Sequence, residues 1–129
     1  MNGKFLLDTN IVIALLADEE AVKQRLTMAR EVFVPVIVLG ELYYGAKKSA
    51  WSAKNIARIE EFAARNSVLL CDLPTAQHYG EIKHSLRTKG RPIPENDIWI
   101  AALTLQYDLI LATRDAHFDV VDKLTVEKW

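Results

Sequence analysis

Four carboxylates at separate places in the chain, Asp8, Glu41, Asp97 and Asp115, are the residues whose type and setting point to chemistry. Asp8 closes the apolar run KFLL and is followed at once by Thr9 and Asn10, while Asp115 follows LILATR. In an open parallel sheet, ligands bind just beyond the carboxyl ends of the strands, where the loops converge. Both aspartates occupy such positions. Glu41 lies in VIVLGELYYGA, where Leu39, Leu42 and Tyr43 predict a mostly buried helix; a lone buried carboxylate there is costly unless a cation meets it. Asp97 stands in the first turn of the helical segment ENDIWIAALTLQY. Each acid also has a structural reading: Asp8, Thr9 or Asn10 as the cap of the first helix, Asn96 or Asp97 as the cap of the sixth, Asp115 as a turn residue. If the four meet, their repulsion raises their pKa values unless a divalent cation neutralises them. Oxygen donors without a Cys or His cluster select Mg²⁺ or Mn²⁺ over zinc. Such an ion activates water, orients a phosphate and stabilises a leaving oxygen, which is what phosphodiester hydrolysis needs.

Positioning these groups falls to an alternating set of elements. The short apolar runs KFLLD, VFVPV, SVLLC and LILAT are separated by longer helical patterns, the alternation of an α/β fold with a parallel sheet covered on both faces. A last short strand around LTVEKW is expected to close one edge, giving four to five strands flanked by helices. IVIALLA and EEAVKQRLTMA read as two short helices and VLGELYYGAKK as a third. AKNIARIEEFAARN places Ile56, Ile59, Phe62 and Ala63 on one face, and TAQHYGEIKHSLRTK does the same with Ala76, Tyr79, Ile82 and Leu86. Gly90, Pro92 and Pro94 mark the loop before the sixth helix. No repeat or linker divides the chain, so residues 1–129 form one domain.

Half of the residues are hydrophobic and 26% are charged, a balance that excludes disordered and collagen-like classes. The N-terminal MNGKFLLDTNIVIALLADEE has one Lys and an apolar stretch broken by Asp8 and Asn10, so neither a signal peptide nor a membrane span is expected, and the location is read as cytoplasmic. The single cysteine, Cys71, in the apolar VLLC, is expected to be a buried, inert thiol. A net charge of −1 gives no global sign of nucleic-acid binding. Two acid-free basic runs stand out locally: Lys47, Lys48, Lys54 and Arg58, then Lys83, Arg87, Lys89 and Arg91. Each is either a solvated helix face or a site for a phosphate backbone.

In order and spacing, LLDTN, LGELYYGA, ENDIWIAA and ATRDAHF resemble, over nearly the whole chain, the PIN-domain family, and in particular the VapC-type toxins of bacterial toxin–antitoxin pairs. That resemblance implies a Mg²⁺- or Mn²⁺-dependent endoribonuclease. It assigns catalysis and metal binding to Asp8, Glu41, Asp97 and Asp115, with Thr9, Asn96 and Thr113 as supporting polar groups beside Asn10. Asp119 is either an outer acid of the same site or a turn residue. The resemblance further implies a homodimer, structured RNA such as transfer RNA as substrate, a VapB-type antitoxin whose tail blocks the site, and operator DNA bound through that antitoxin. The strand before Glu41 departs from the pattern, since Pro35 and Val38 stand where many relatives carry Ser or Thr. This removes a helix cap or a minor substrate contact and leaves the four acids in place.

Two other readings compete. A haloacid-dehalogenase-like phosphatase also begins with a strand ending in Asp, but its nucleophile needs a second acid two residues later, and here that residue is Asn10. A FitB-like PIN subunit acting mainly as the partner of a DNA-binding protein is the second.

Overall fold

Five strands, each parallel to its neighbours, form the spine of the molecule, a computed structural model that describes residues 3–129. In chain order the elements are β1 (Lys4–Leu7), α1 (Thr9–Leu16), α2 (Glu20–Met28), β2 (Glu31–Pro35), α3 (Val36–Lys48), α4 (Ser52–Arg65), β3 (Ser67–Leu69), α5 (Leu73–Lys89), α6 (Glu95–Gln106), β4 (Ile110–Thr113), a 3-10 turn (Ala116–Val120) and β5 (Val126–Lys128). The sheet order is β3-β2-β1-β4-β5. Strand β1 is therefore central, which explains why Leu6 and Leu7 are both fully buried although their side chains point to opposite faces. The expected α/β architecture and the final strand at one edge are both present.

Register decides where the polar groups end up. Leu6 faces Phe33 on one side and Leu111 on the other, and Leu7 pairs with Ala112. The ladder continues one residue further, where the Asp8 amide donates to the Ala112 carbonyl at 3.0 Å. Asp8 is thus held by the sheet itself, next to the end of β4. Around it the core packs Ile11 and Val12 of α1, Val38, Leu39 and Leu42 of α3, and Ile98, Ile100 and Leu103 of α6.

The structure departs from the sequence reading at four points. Strand β3 is an edge strand that stops at Leu69, because the chain turns away to place Asp72 as the cap of α5, in a reciprocal pair with Thr75. Cys71 lies in that turn and is exposed, not buried. Along α5, Thr75 takes the inward position expected of Ala76, which is exposed, while Tyr79, Ile82 and Leu86 do pack inward. Neither Asn96 nor Asp97 caps α6: Pro94 occupies that position, and both acids of the segment, Glu95 and Asp97, lie inside the first turn. Among the described residues no helix is long and apolar enough to cross a membrane.

Candidate active site

Three chain segments converge past the carboxyl ends of β1 and β4, and each delivers side chains that the others hold. Asp8 follows β1, and the residue is 3% exposed. Its Oδ1 accepts from the Thr9 amide at 2.8 Å, the helix-cap bond of α1, so the structural reading of this residue is real. Its Oδ2 accepts from the Thr113 hydroxyl at 2.7 Å and, at 3.4 Å, from the Asn10 amide. Asn10 also donates to Asp115 Oδ2 at 3.2 Å and accepts from the Arg114 amide at 3.2 Å, tying the start of α1 to the loop after β4. Thr113 is fully buried and accepts from the Asp115 amide at 3.0 Å, which closes that loop onto the strand end.

The remaining acids come from the two helices. Glu41, half-buried on α3, accepts from the Thr9 hydroxyl at 2.8 Å and faces the cleft. The sequence placed it on a buried face in need of a cation; in the fold its own side of α3 opens on the cleft, and the buried residues of the helix are Val38, Leu39, Leu42 and Ala46. Asp97, in the first turn of α6, lies 2.5 Å through Oδ2 from His117 Nε2, and that same nitrogen is 4.0 Å from Asp115 Oδ2. All four acids, with Thr9, Asn10 and Asn96, line one open cleft of about 530 Å³. Asp119 is exposed on the 3-10 turn and does not line it.

His117 is the residue that sequence reasoning passed over. A lone histidine within ATRDAHF carries little signal by itself. The one available clue is its position two residues after Asp115, inside the last of the four motif blocks.

Burial first, and the neighbouring carboxylates second, make two of these acids reluctant to ionise. Burial pushes the Asp97 carboxyl up to about 6; the His117 contact opposes this, and the charges of Asp8 and Glu41 add to it. Asp8 is also raised, chiefly by burial against the lowering pull of its bonds from Thr113 and Thr9, with Asp115 and Glu41 contributing further. A cleft that makes its own carboxylates reluctant to ionise favours a bound cation.

The donor chemistry indicates which cation fits. Asp8, Glu41, Asp97 and Asp115 offer hard oxygen atoms, and among the described residues no three acidic, imidazole or thiolate groups gather tightly enough to enclose an ion by themselves. Hard oxygen donors of this kind suit a divalent cation that is held by one or two carboxylates and completes its shell with water and substrate phosphate.

The PIN domain model matches residues 5–124. The chain belongs to the PIN-domain family, in its VapC-type ribonuclease branch. It is 40% identical to ribonuclease VapC2 of Haemophilus influenzae and 36% identical to the tRNA(fMet)-specific endonuclease VapC of Shigella flexneri, each alignment spanning 98% of both chains. Among solved structures, it is similar to the DNA-bound VapBC of Salmonella typhimurium, with 32% identity, 98% of each chain covered and a TM-score of 0.91. The FitAcB complex of Neisseria gonorrhoeae is more distant, with 28% identity, 95% of each chain covered and a TM-score of 0.81.

Proposed function

We propose that this chain is the toxin of a VapBC-type module, an endoribonuclease that cuts structured RNA with a Mg²⁺ or Mn²⁺ ion. The observation that carries the reading is the meeting of Asp8, Glu41, Asp97 and Asp115, from four distant parts of the sequence, in one solvent-open cleft at the carboxyl end of the sheet. Asp8 is the anchor ligand, because the strand ladder, the Thr113 hydroxyl and the Thr9 amide fix both of its oxygens. Asn10 holds Asp115 toward it, Thr9 orients Glu41, and His117 orients Asp97. When bound, the ion supplies a polarised water at neutral pH and neutralises charge on the phosphate. The protein's own work is to present the four carboxylates on rigid elements and to leave one side of the cleft open for a phosphodiester backbone. Asn96, on the rim, is placed to touch that backbone.

Transfer RNA is the proposed substrate class, supported by the relative whose name specifies tRNA(fMet). Similarity to VapBC complexes, two of them with DNA, supports a VapB-type antitoxin as partner and operator DNA as a ligand of the pair. A homodimer working in the cytoplasm completes the proposal. The phosphatase reading loses its second acid, because Asn10 spends its amide on Asp8 and Asp115. A regulatory role like that of a FitB subunit is favoured only by the FitAB likeness, and the intact acidic set argues for retained chemistry.

The test is cleavage of a transfer RNA transcript by the purified chain in Mn²⁺ and in excess EDTA. Cutting that EDTA abolishes supports the proposal. An uncut transcript under both conditions, with the chain still bound to an operator fragment through its partner, would favour the regulatory reading.

A further inference from the structure

The two basic runs, alike in sequence, differ in three dimensions. In the second, two of the four cations are paired, Lys83 with Glu95 at 3.3 Å and Lys89 with Asp122 at 2.6 Å, and no large exposed aromatic ring of the described residues lies among Arg87 and Arg91. In the first, Lys47, Lys48 and Lys54 have no carboxylate within ion-pair distance among the described residues. Two large aromatic rings lie among these free cations in the open: Trp51 is 72% exposed and Tyr44 is 66% exposed. The Lys48 ammonium sits 4.4 Å from the Tyr44 ring centroid, which holds the ring and charge as one unit.

The surface is also connected to the catalytic cleft. Thr9, Ile13 and Glu41 line both that cleft and a neighbouring groove of about 350 Å³ between α1, α3 and α4. Asn55 and Arg58 line both this groove and a smaller hollow of about 210 Å³ against Trp51. Cleft, groove and hollow therefore adjoin, and together they form a trough that leads from the cleft of Asp8 toward Trp51, with the shared Arg58 side chain bonded to the Leu16 carbonyl. Glu41 lines the trough, and Tyr44 and Lys48 follow it beside the trough on the same face of α3 at spacings of three and four, while Trp51, Asn55 and Arg58 line it with the same period into α4.

We propose that this trough is the lane for the single-stranded stretch of RNA leaving the cut site, with Trp51 stacking an unpaired base and Lys47, Lys48 and Lys54 holding the flanking phosphates. The inference rests on the ribonuclease reading above and deepens it. Exposed aromatic rings set among unpaired cations are the chemistry by which proteins take hold of single strands, since every base has a stacking face and every linkage a charge. Unpaired loops are also the part of a structured RNA that a protein can reach with such rings.

Fluorescence anisotropy of a fluorescein-labelled twelve-residue oligouridylate in EDTA reads the Kd of every variant without cleavage, and tryptophan fluorescence in the same titration locates the contact. Trp99 and Trp129 are half-buried and packed on Tyr79 and Phe5, so quenching is expected to come from Trp51 and to disappear in Trp51→Phe. Trp51→Ala should weaken the Kd roughly five- to thirtyfold, and Trp51→Phe should recover most of that loss because a ring remains. Changing Lys47, Lys48 and Lys54 together to Gln should reduce the log–log salt slope by about 2. On a cleavable transfer RNA transcript in Mn²⁺, the Trp51→Ala loss should fall on KM and not on kcat. An unchanged Kd and salt slope would overturn the inference. So would a Trp51→Ala chain that keeps its RNA affinity but sediments as a monomer where the wild type is a dimer, since the surface would then be a protein face. If the wild type cuts no RNA, the ribonuclease reading fails, while the oligouridylate titration still decides the lane.

Discussion

Replacing Asp97 by Asn separates chemistry from stability, because the side chain keeps its shape and its reach to His117 while losing its charge. In the folded protein the Asp97 carboxyl is raised from 3.8 to about 6, mainly by burial. A raised acid stabilises the fold only when protonated: its contribution is fully present below 3.8 and is lost as pH rises through 6. The gap of two units corresponds to about 3 kcal/mol, and the side chain is only 13% exposed, so solvent screens little of it. Some of the gain is forfeited because an amide meets His117 less strongly than a carboxylate does. At pH 8 in EDTA the variant is therefore expected to be more stable by about 2 kcal/mol, a rise in Tm of roughly 8 °C for a domain of this size. At pH 4.5 wild-type Asp97 is protonated and the advantage should vanish. Cleavage should be lost at every pH. With Mn²⁺ at a hundredfold excess over its Kd, the wild type should gain about 2.7 kcal/mol and the variant much less. Melting curves of both proteins at the two pH values, in EDTA and then in Mn²⁺, test each step. A variant that melts below the wild type in EDTA at pH 8, yet gains as much from Mn²⁺, would refute the reasoning and leave Asp97 as a helix-start residue outside the metal site.

Asp8→Ala should abolish metal-dependent cleavage while circular dichroism stays native, since the residue ends a strand without filling the core; near-normal cutting would remove it from the ligand set. Thr113→Val deletes the hydroxyl that holds Asp8 Oδ2 and should lower activity ten- to a hundredfold with the fold retained, whereas unchanged kinetics would show that the strand ladder alone aims Asp8. Asp119→Asn should leave cleavage within about twofold, because that carboxylate is exposed and away from the cleft; assays side by side with the wild type would show any larger loss. Cys71 should react with iodoacetamide in the native state at pH above 9, where its raised thiol ionises, and mass spectrometry finding modification only after unfolding would contradict its exposed position.

What the sequence made legible follows from what is local. Apolar runs of strand length between helical periods define a parallel sheet because each run must be buried on both faces, and the acids at the ends of such runs fall at the carboxyl edge whatever the loops do. Asp8 and Asp115 were legible for that reason, Glu41 as a carboxylate on an otherwise apolar helix and Asp97 as an acid in the first turn of the sixth, and the four motif blocks then grouped them. Cys71 was misplaced because burial was inferred from apolar neighbours, while exposure was set by the need of α5 for a cap at Asp72, a tertiary demand that a window of four residues does not contain. Pro94 replaced Asn96 or Asp97 as the cap of α6 in the same way: capping preference allows several residues, and the loop geometry chose one.

The deeper gap concerns pairs. His117 and Asp97 are twenty residues apart and touch only because α6 begins where β4 ends, at the same edge of the sheet. Lys83 and Lys48 look equivalent along the chain, and each meets a tyrosine one turn back on its own helix, yet Lys83 also meets Glu95 across a loop while Lys48 meets no carboxylate among the described residues. Charge runs read from sequence report how much charge a segment carries. How much of it is free to meet a ligand depends on partners that only the fold supplies, and in this chain that difference moves the argument for an RNA-binding surface from two basic runs to one.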